Sequence, residues 1–342
     1  MTAAHVAGRA AHDFHRKCIK RASRRAEPKP LILMNTPPRP PSRTLWPAIL
    51  RQTRHALACG ALHPIHTSRT TIEDGGVRFL IRQVSSLERK EQDAQRRKTE
   101  AASSGTTNPF LPCDRNLFVA DISDTHLVLL NKFNVIDHHL LVVTRRFESQ
   151  ENLLNVADFR ALFDCITQFE GLGFYNGGTA AGASQPHKHL QIVPLPLDES
   201  APCVPIEPLF PTANTDGTIG TICTVRGLGF AHAFAWLDAK FANRPLELAS
   251  SALDTYLHLL DAAGLHAVDV NGEARQSAPY NLLVTTRWMM LVPRCAERAE
   301  GIAVNALGFA GSLFVRNDLQ MHTIRTLGPM NLLQRVAGIM AD

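Results

Sequence analysis

The segment on which the predicted fold is centred is GASQPHKHLQIVPLP, Gly182–Pro196. Residues 186–193 within it are predicted to form a β-strand, in which successive side chains point to opposite faces of the sheet. His187, His189 and Gln191 therefore share one face, while the residues between them turn to the other. Two imidazoles and an amide stand in a row on one side of the sheet.

A glycine-rich loop, YNGGTAAGASQ, lies immediately before this strand. Gly177, Gly178 and Gly182 can adopt positive φ, and such a backbone can turn several N–H groups toward one anion. A neutral imidazole is a competent nucleophile near physiological pH, because its unperturbed pKa is about 6.5. It can also carry a transferred group covalently. The loop and the imidazoles together predict nucleotidyl or phosphoryl transfer.

Three other interpretations of these residues stay open at this point. An HxH pair can bind zinc, although no CxxC or HExxH motif accompanies it. The row can also consist of hydrogen-bonded polar residues on a half-exposed strand. Ser184 beside two histidines can belong to a hydrolase, although no GxSxG motif surrounds it. The glycine loop, and an amide at the same spacing, favour the transfer reaction.

The string YNGGTAAGASQPHKHLQIVPLP closely resembles the active-site segment of the ATP adenylyltransferases, also called diadenosine tetraphosphate phosphorylases, of the histidine-triad-like superfamily. The resemblance implies that His189 is the nucleophile that accepts AMP and that Gln191 contacts the phosphate under attack. His187 is expected to orient the nucleophilic imidazole or support its protonation state. The positions that match the family's nucleotide- and phosphate-binding run are Asn176, Gly182, Ala183, Ser184 and Gln185.

The same resemblance assigns residues outside the glycine loop. A lysine after a predicted strand at 76–84 is expected to contact the nucleotide's phosphates, and Lys90 is the best match, with Arg89 as the competitor. In the C-terminal half, the family's PYN motif and the apolar strand that follows it complete the nucleotide pocket. The residues assigned to that part of the pocket are Asn281, Leu282 and Thr285.

Two alternatives to this function belong to other classes. HxHxQ also marks hexose-1-phosphate uridylyltransferases, which commonly precede the motif with serine-proline and carry zinc-ligand cysteines. Here the motif follows Gln185-Pro186 and no such cysteine pairs occur, which favours the adenylyl branch. The second alternative is a non-catalytic nucleotide-binding sensor of the same fold.

Composition and charge bound the remaining classes. The chain has 342 residues, of which 45% are hydrophobic, enough to bury a sizeable core, and no apolar run approaches the roughly 20 residues that cross a bilayer. Its seven scattered cysteines predict reduced thiols in a cytoplasm. Residues 1–45 hold ten basic residues and two acids, a charge of +8, so the rest carries −3 of the overall +5. A nucleic-acid-binding body is therefore not supported.

Periodicity predicts a mixture of helices and strands, hence an α+β fold, and the resemblance implies the histidine-triad-like type, with antiparallel sheets and packed helices in two fused halves. We expect a disordered basic extension over 1–45, with an organelle transit peptide or a nucleic-acid tether as alternatives. A catalytic region over 46–200 and a pocket-completing region over 201–342 follow. His138 and His139 are adjacent in a predicted hairpin and cannot both serve one site.

The family reaction has two steps at an α-phosphorus. In the first, the resemblance implies that His189 expels ATP from diadenosine tetraphosphate and holds AMP; in the second, inorganic phosphate removes the adenylyl group as ADP. Mg²⁺ is the expected cofactor, carried by the substrate phosphates, because the chain has no evident acidic cage for it. The expected partners are the dinucleoside polyphosphate, ATP, ADP and phosphate, with no membrane and no nucleic acid.

Overall fold

The structure is a computed structural model that describes residues 44–84, 108–199, 202–213, 219–241 and 244–338. All of these residues belong to one compact unit, Pro40–Asp342. Nearly all of the basic extension lies outside the described residues, as do Lys90 and Arg89.

The helices in the described part of the chain, except the first, begin where the sequence supplies a capping side chain or a proline. Asn155 accepts hydrogen bonds from the N–H groups of Ala157 and Asp158, and the Asp158 carboxylate accepts one from the Asn155 N–H at 2.7 Å. This reciprocal capping box satisfies N–H groups that a helix start otherwise leaves unpaired. The helices are α1 (Leu45–Ala58), α2 (Val156–Ile166), α3 (Pro245–Ala262), α4 (Ala306–Phe309), α5 (Asp318–Leu327) and α6 (Pro329–Val336).

The strands alternate buried and polar residues less than the sequence predicts, because most of them are covered on both faces. In chain order they are β1 (Thr67–Asp74), β2 (Val77–Val84), β3 (Phe118–Asp121), β4 (His126–Leu130), β5 (Leu140–Thr144), β6 (Gly171–Gly177), β7 (His189–Pro194), β8 (Ala233–Trp236), β9 (Ala267–Val270), β10 (Glu273–Gln276), β11 (Tyr280–Val284), β12 (Trp288–Pro293), β13 (Arg298–Ala299), β14 (Ile302–Ala303) and β15 (Ser312–Val315).

One eight-stranded sheet organises the molecule, in the order β3-β4-β5-β7-β6-β11-β12-β8, and every neighbouring pair in it is antiparallel. The regions 46–200 and 201–342 meet within it, since β6 pairs with β11. A second sheet, β1-β2-β15, pairs β15 with β2 in parallel. The predicted α+β class, with antiparallel sheets and packed helices, is confirmed.

The two faces of the large sheet are covered differently. Helices α1, α2 and α3 pack on one face, where Leu190 and Ile192 of β7 join their core. The other face carries two separate apolar clusters, one shared with the second sheet and α4 to α6, the other centred on Phe110. The strand β7 runs between them, so its polar residues on this face lie in the gap. No helix in the described ranges is both long and apolar enough to span a bilayer.

Candidate active site

The strand β7 begins at His189, three residues later than predicted. The reason is local: Lys188 N–H donates to the Glu148 carbonyl, and the Pro186 carbonyl accepts from Gln150 N–H, both at 2.8 Å. The segment before β7 therefore pairs with the chain that follows β5, and His187 forms an isolated bridge with Ser149. His187 and His189 nevertheless point to the same face, as shown by the Phe110 ring, which contacts both imidazoles.

The His189 imidazole is held in the form that a nucleophile requires. Its Nδ1–H donates to the backbone carbonyl of His187 at 2.8 Å, which leaves the lone pair on Nε2. Nε2 has no hydrogen-bond partner among the described residues. It is not one of the fully buried polar atoms that lack a partner, so it is exposed to solvent. Burial lowers the pKa of His189 to about 4, and the ring is neutral at physiological pH.

His187 supports His189 through its backbone and not through its ring. Its Nε2–H donates to the Thr144 carbonyl at 2.9 Å, and its Nδ1 accepts from the Asn108 amide at 2.9 Å. Burial lowers the pKa of His187, so this ring is also neutral. The predicted orienting role therefore has a physical basis in the main-chain carbonyl, while the side chain fixes the segment that carries it.

Gln150, which the sequence analysis did not single out, ties the nucleophile to the glycine loop. Extending the β6–β7 register by two residues places Asn176 opposite His189. The backbones of Asn176 and His189 do not pair directly; the buried Gln150 side-chain amide lies between them. Its oxygen accepts from His189 N–H at 2.8 Å, and its nitrogen donates to the carbonyls of Asn176 and His189 at 3.0 and 3.2 Å. The two strands can therefore separate here without unpaired backbone groups.

A buried ion pair anchors the same segment from the helical face. Lys188 Nζ donates to the carboxylate of Asp158 at 2.7 Å and to that of Glu148 at 3.2 Å. The Asp158 carboxylate also accepts from His126 at 3.0 Å. Burial alone would raise the pKa of Asp158, but Lys188 and His126 hold it below its usual range. These ion pairs hold Lys188, which lies between His187 and His189, in place.

The conformation of the glycine loop differs from its prediction at Gly177. Gly178 and Gly182 have φ of 89° and 90°, but Gly177 ends β6 without positive φ. Gly177 is needed for space, since a Cβ there would lie 3.0 Å from the Tyr280 ring and closer still to Gln276. The Ala183 N–H is not free to bind phosphate, because it donates to the Gly178 carbonyl at 3.2 Å, and a contact between other atoms of Ala183 and the substrate stays a prediction.

Ser184 and Gln185 remain the predicted anion-binding donors of the loop. Their backbone N–H groups make no hydrogen bond to the described residues, and the Ser184 side chain is exposed. Gly182, in the left-handed conformation, turns the chain toward them. Two unpaired N–H groups and a hydroxyl next to an imidazole-bearing strand can hold phosphate oxygens.

Asn176 and Asn281 hold the loop from beneath. Asn176 Oδ1 accepts from Asn281 Nδ2 at 2.8 Å and from the Ala306 N–H at 3.0 Å. Asn281 Nδ2 also donates to the Ala181 carbonyl at 2.8 Å, and the buried Arg294 donates to Asn281 Oδ1. The C-terminal half thereby shapes the loop. Asn176 Nδ2 has no partner in the described part of the chain, and direct substrate contacts of the two residues stay a prediction.

Two other assigned residues, Leu282 and Thr285, do not lie at the site. The Leu282 side chain lies in the core under the helices, fully buried, because it neighbours Asn281 on a strand and must face the other way. Its assignment to the pocket is therefore corrected. Thr285 lies four residues beyond Asn281, about 14 Å along the strand. Its hydroxyl accepts from Arg287 and Trp288 N–H groups in the β11–β12 turn. Lys90 lies outside the described residues.

Comparison with known proteins identifies the family. Residues 35–212 match the Ap4A phosphorylase N-terminal domain, where Ap4A is diadenosine tetraphosphate, and residues 226–338 match the ATP adenylyltransferase C-terminal domain. The chain belongs to the Ap4A phosphorylase family. The predicted family resemblance is confirmed, and the uridylyltransferase alternative is not supported.

Individual relatives agree with this family. Diadenosine 5',5'''-P1,P4-tetraphosphate phosphorylase 2 of Saccharomyces cerevisiae is 26% identical over 260 residues, which cover 65% of this chain and 73% of the yeast protein. The crystal structure of yeast Ap4A phosphorylase Apa2 has a TM-score of 0.70 at 22% identity, covering 86% and 94% of the two chains. Apa2 in complex with Ap4A has a TM-score of 0.68 at 20% identity, covering 86% and 97%. At these identities the structures show that the fold is shared.

Proposed function

We propose that this protein is a nucleotidyltransferase that cleaves diadenosine tetraphosphate with phosphate, giving ADP and ATP through adenylyl-His189. The observation that carries the proposal is the state of the His189 ring. It is neutral, its proton is fixed on Nδ1 by the His187 carbonyl, and its Nε2 lone pair opens on solvent. Family membership supplies the substrate class.

The first step forms the covalent intermediate. The Nε2 lone pair of His189 attacks an α-phosphorus, a P–N bond forms, and ATP leaves with the electron pair of the broken P–O bond. The ring becomes cationic, and its Nδ1–H strengthens the hydrogen bond to the His187 carbonyl. The free N–H groups of Ser184 and Gln185, with the Gln191 amide, would stabilise the charge on the phosphate oxygens.

The second step restores the ring. An oxygen of inorganic phosphate attacks the same phosphorus, the P–N bond breaks, and its electron pair returns to Nε2 as ADP leaves. Neither step needs a proton on Nε2, because both leaving groups depart without one. Alignment by Gln150 and the glycine loop would therefore matter more than acid–base catalysis.

The proposal includes Mg²⁺ bound to the substrate phosphates. A tetraphosphate carries several negative charges that a hard cation neutralises. Within the described ranges no group of three or more His, Cys, Asp or Glu side chains is arranged to hold a metal. The ion would be held by the phosphates, and rates measured with and without excess EDTA test this dependence.

We also place the protein in a reducing compartment such as the cytoplasm. All six cysteines in the described part of the chain are free thiols, which supports this assignment. Fractionation of cells with an antibody to the protein tests it.

The decisive experiment is covalent trapping. Protein incubated with adenosine-labelled diadenosine tetraphosphate without phosphate, and then denatured, should retain label on His189, and His189→Ala should retain none. Turnover by His189→Ala should fall by at least about 10⁴-fold. With phosphate present, the products should be ADP and ATP; AMP and ATP instead would indicate hydrolysis.

His232 offers a matched control for this experiment. It is buried, its Nδ1–H donates to the Phe230 carbonyl two residues back at 2.8 Å, and burial lowers its pKa, as for His189. Its Nε2, however, accepts from the Val225 N–H, so it has no free lone pair. His232→Ala should keep the label. Tight binding of substrate to the wild-type protein without any label would favour the sensor instead.

A further inference from the structure

His139 lies beside the candidate site, although the sequence analysis gave it no role. It is 8% exposed, and its Nε2 lies 2.9 Å from the Gln191 side-chain oxygen. Its neighbour His138 turns the other way, with Nδ1 3.2 Å from the Thr53 hydroxyl and its ring against Trp46. The two histidines therefore do not serve one site. The reason is a turn at His138, whose φ is 58°, and not the strand alternation on which the prediction was based. His139 alone contacts the site.

The direction of each hydrogen bond around His139 can be derived from the backbone. The Phe133 N–H can only donate, and it donates to Asn131 Oδ1 at 3.3 Å. The Asn131 amide therefore presents its Nδ2 to His139 Nδ1, 3.1 Å away, and that ring nitrogen must accept. The reverse arrangement would place two donors against each other at Phe133.

The tautomer of His139 then orients the Gln191 amide. With Nδ1 accepting, the ring proton lies on Nε2 and is donated to Gln191 Oε1. The Gln191 NH₂ group is left to face away from His139, and it has no partner among the described residues. Burial lowers the pKa of His139 to about 4, so the ring stays neutral and the arrangement persists at physiological pH.

We propose that Asn131 and His139 form an amide relay that fixes the NH₂ group of Gln191 toward the phosphate under attack. Both act as positioning residues, since neither touches the reacting atoms. Without the relay, the Gln191 amide could rotate by 180° and present its oxygen to the anionic phosphate, which would repel it. The inference rests on the proposed adenylyl transfer and adds a reason why the glutamine acts as a donor.

Double-mutant kinetics test the relay. The measured quantity is the single-turnover rate at which diadenosine tetraphosphate labels the full-length protein without phosphate. Gln191→Ala should lower this rate about 10²-fold, as for removal of one transition-state donor. His139→Leu should lower it about 10-fold, because an unoriented amide still donates part of the time. In the Gln191→Ala background, His139→Leu should change the rate less than about 2-fold.

Further variants separate positioning from stability. In His139→Gln, the new NH₂ group can replace the Nε2–H donor, so its labelling rate should lie within about 3-fold of the wild-type rate. The Kd for diadenosine tetraphosphate should change less than about 3-fold in all relay variants. If His139→Leu does not fold, Asn131→Ala can be used instead, because it removes the hydrogen bond to His139 Nδ1 at a half-exposed position. His232→Leu removes another buried neutral histidine and should label normally.

The outcomes are distinguishable. The relay is refuted if the losses from His139→Leu and Gln191→Ala multiply, if His139→Leu labels like wild type, or if His232→Leu loses as much. A wild-type protein that binds substrate but acquires no label refutes the proposed function as well.

Discussion

Gln150 is the residue whose replacement most directly tests how the site is built. Replacing it by Leu removes three hydrogen bonds to the backbone of His189 and Asn176. Each buried backbone group left unpaired costs at least about 1 kcal/mol, so three of them destabilise the fold by about 3 kcal/mol. For a chain of this size, that loss lowers the melting temperature by roughly 4–5 °C.

Catalysis should fall more than stability explains. Without the amide, the backbone of His189 is free to shift relative to the glycine loop, and a misplacement of about 1 Å costs roughly 10²-fold in rate. We therefore expect Gln150→Leu to label His189 about 10²-fold more slowly at a temperature where the variant is fully folded. Thermal unfolding and single-turnover labelling measure the two effects separately.

Gln150→Glu provides a pH-dependent version of the same test. One carboxylate oxygen still accepts from His189 N–H, but the other faces two carbonyl oxygens, so the folded state favours the protonated acid. Its folded pKa then lies above the unfolded value of about 4.3. Folding binds a proton in this case, and the variant should be less stable at pH 8 and recover as the pH falls through the raised pKa. Gln150→Leu should show no recovery.

An exposed glutamine supplies the control. Gln334 donates one hydrogen bond to the Gly229 carbonyl at the surface, and Gln334→Leu should change stability by less than about 0.5 kcal/mol. A Gln150→Leu protein that melts within about 1 °C of wild type and labels within about 2-fold would refute the bridging role. A Gln150→Glu protein whose stability does not recover below pH 8 would do the same.

Three further predictions concern the same region. The acid limb of the single-turnover rate should fall near pH 4 and not near 6.5, because burial lowers the pKa of His189 to about 4; a limb at 6.5 would contradict it. Asp158→Asn removes the carboxylate closest to the buried Lys188 ammonium and should destabilise the fold by about 3–5 kcal/mol in thermal unfolding. Because the pKa of Asp158 is lowered in the folded protein, the stabilisation that its carboxylate provides is present above about pH 4 and is lost on acidification. Gly182→Ala combines a φ of 90° with a contact 3.0 Å from Asn305, and should destabilise by about 1–3 kcal/mol and weaken substrate binding in titration calorimetry; unchanged affinity and melting would contradict it.

Local patterns predicted well what depends only on neighbouring residues. The shared face of His189 and Gln191 follows from strand alternation, and the structure has it. The start of α2 also depends on near neighbours, because its capping box joins Asn155 to a residue three positions later. The same alternation rule excludes the Leu282 side chain from a pocket that contains Asn281.

The contacts that fit the site for chemistry join residues far apart in the chain. Gln150 reaches His189 across 39 positions, His139 reaches Gln191 across 52, and Asn281 reaches Asn176 across 105. Motif spacing carries no signal for such pairs, because strand register and sheet order bring them together.

The sequence by itself therefore determined the family, the identity of the nucleophile as a prediction, and the face on which it lies, since each depends on residues a few positions apart. Only the tertiary structure decided which nitrogen of His189 is free, which donors of the glycine loop are unpaired and which way the Gln191 amide points. Those properties depend on hydrogen bonds that form only when distant strands are packed in register.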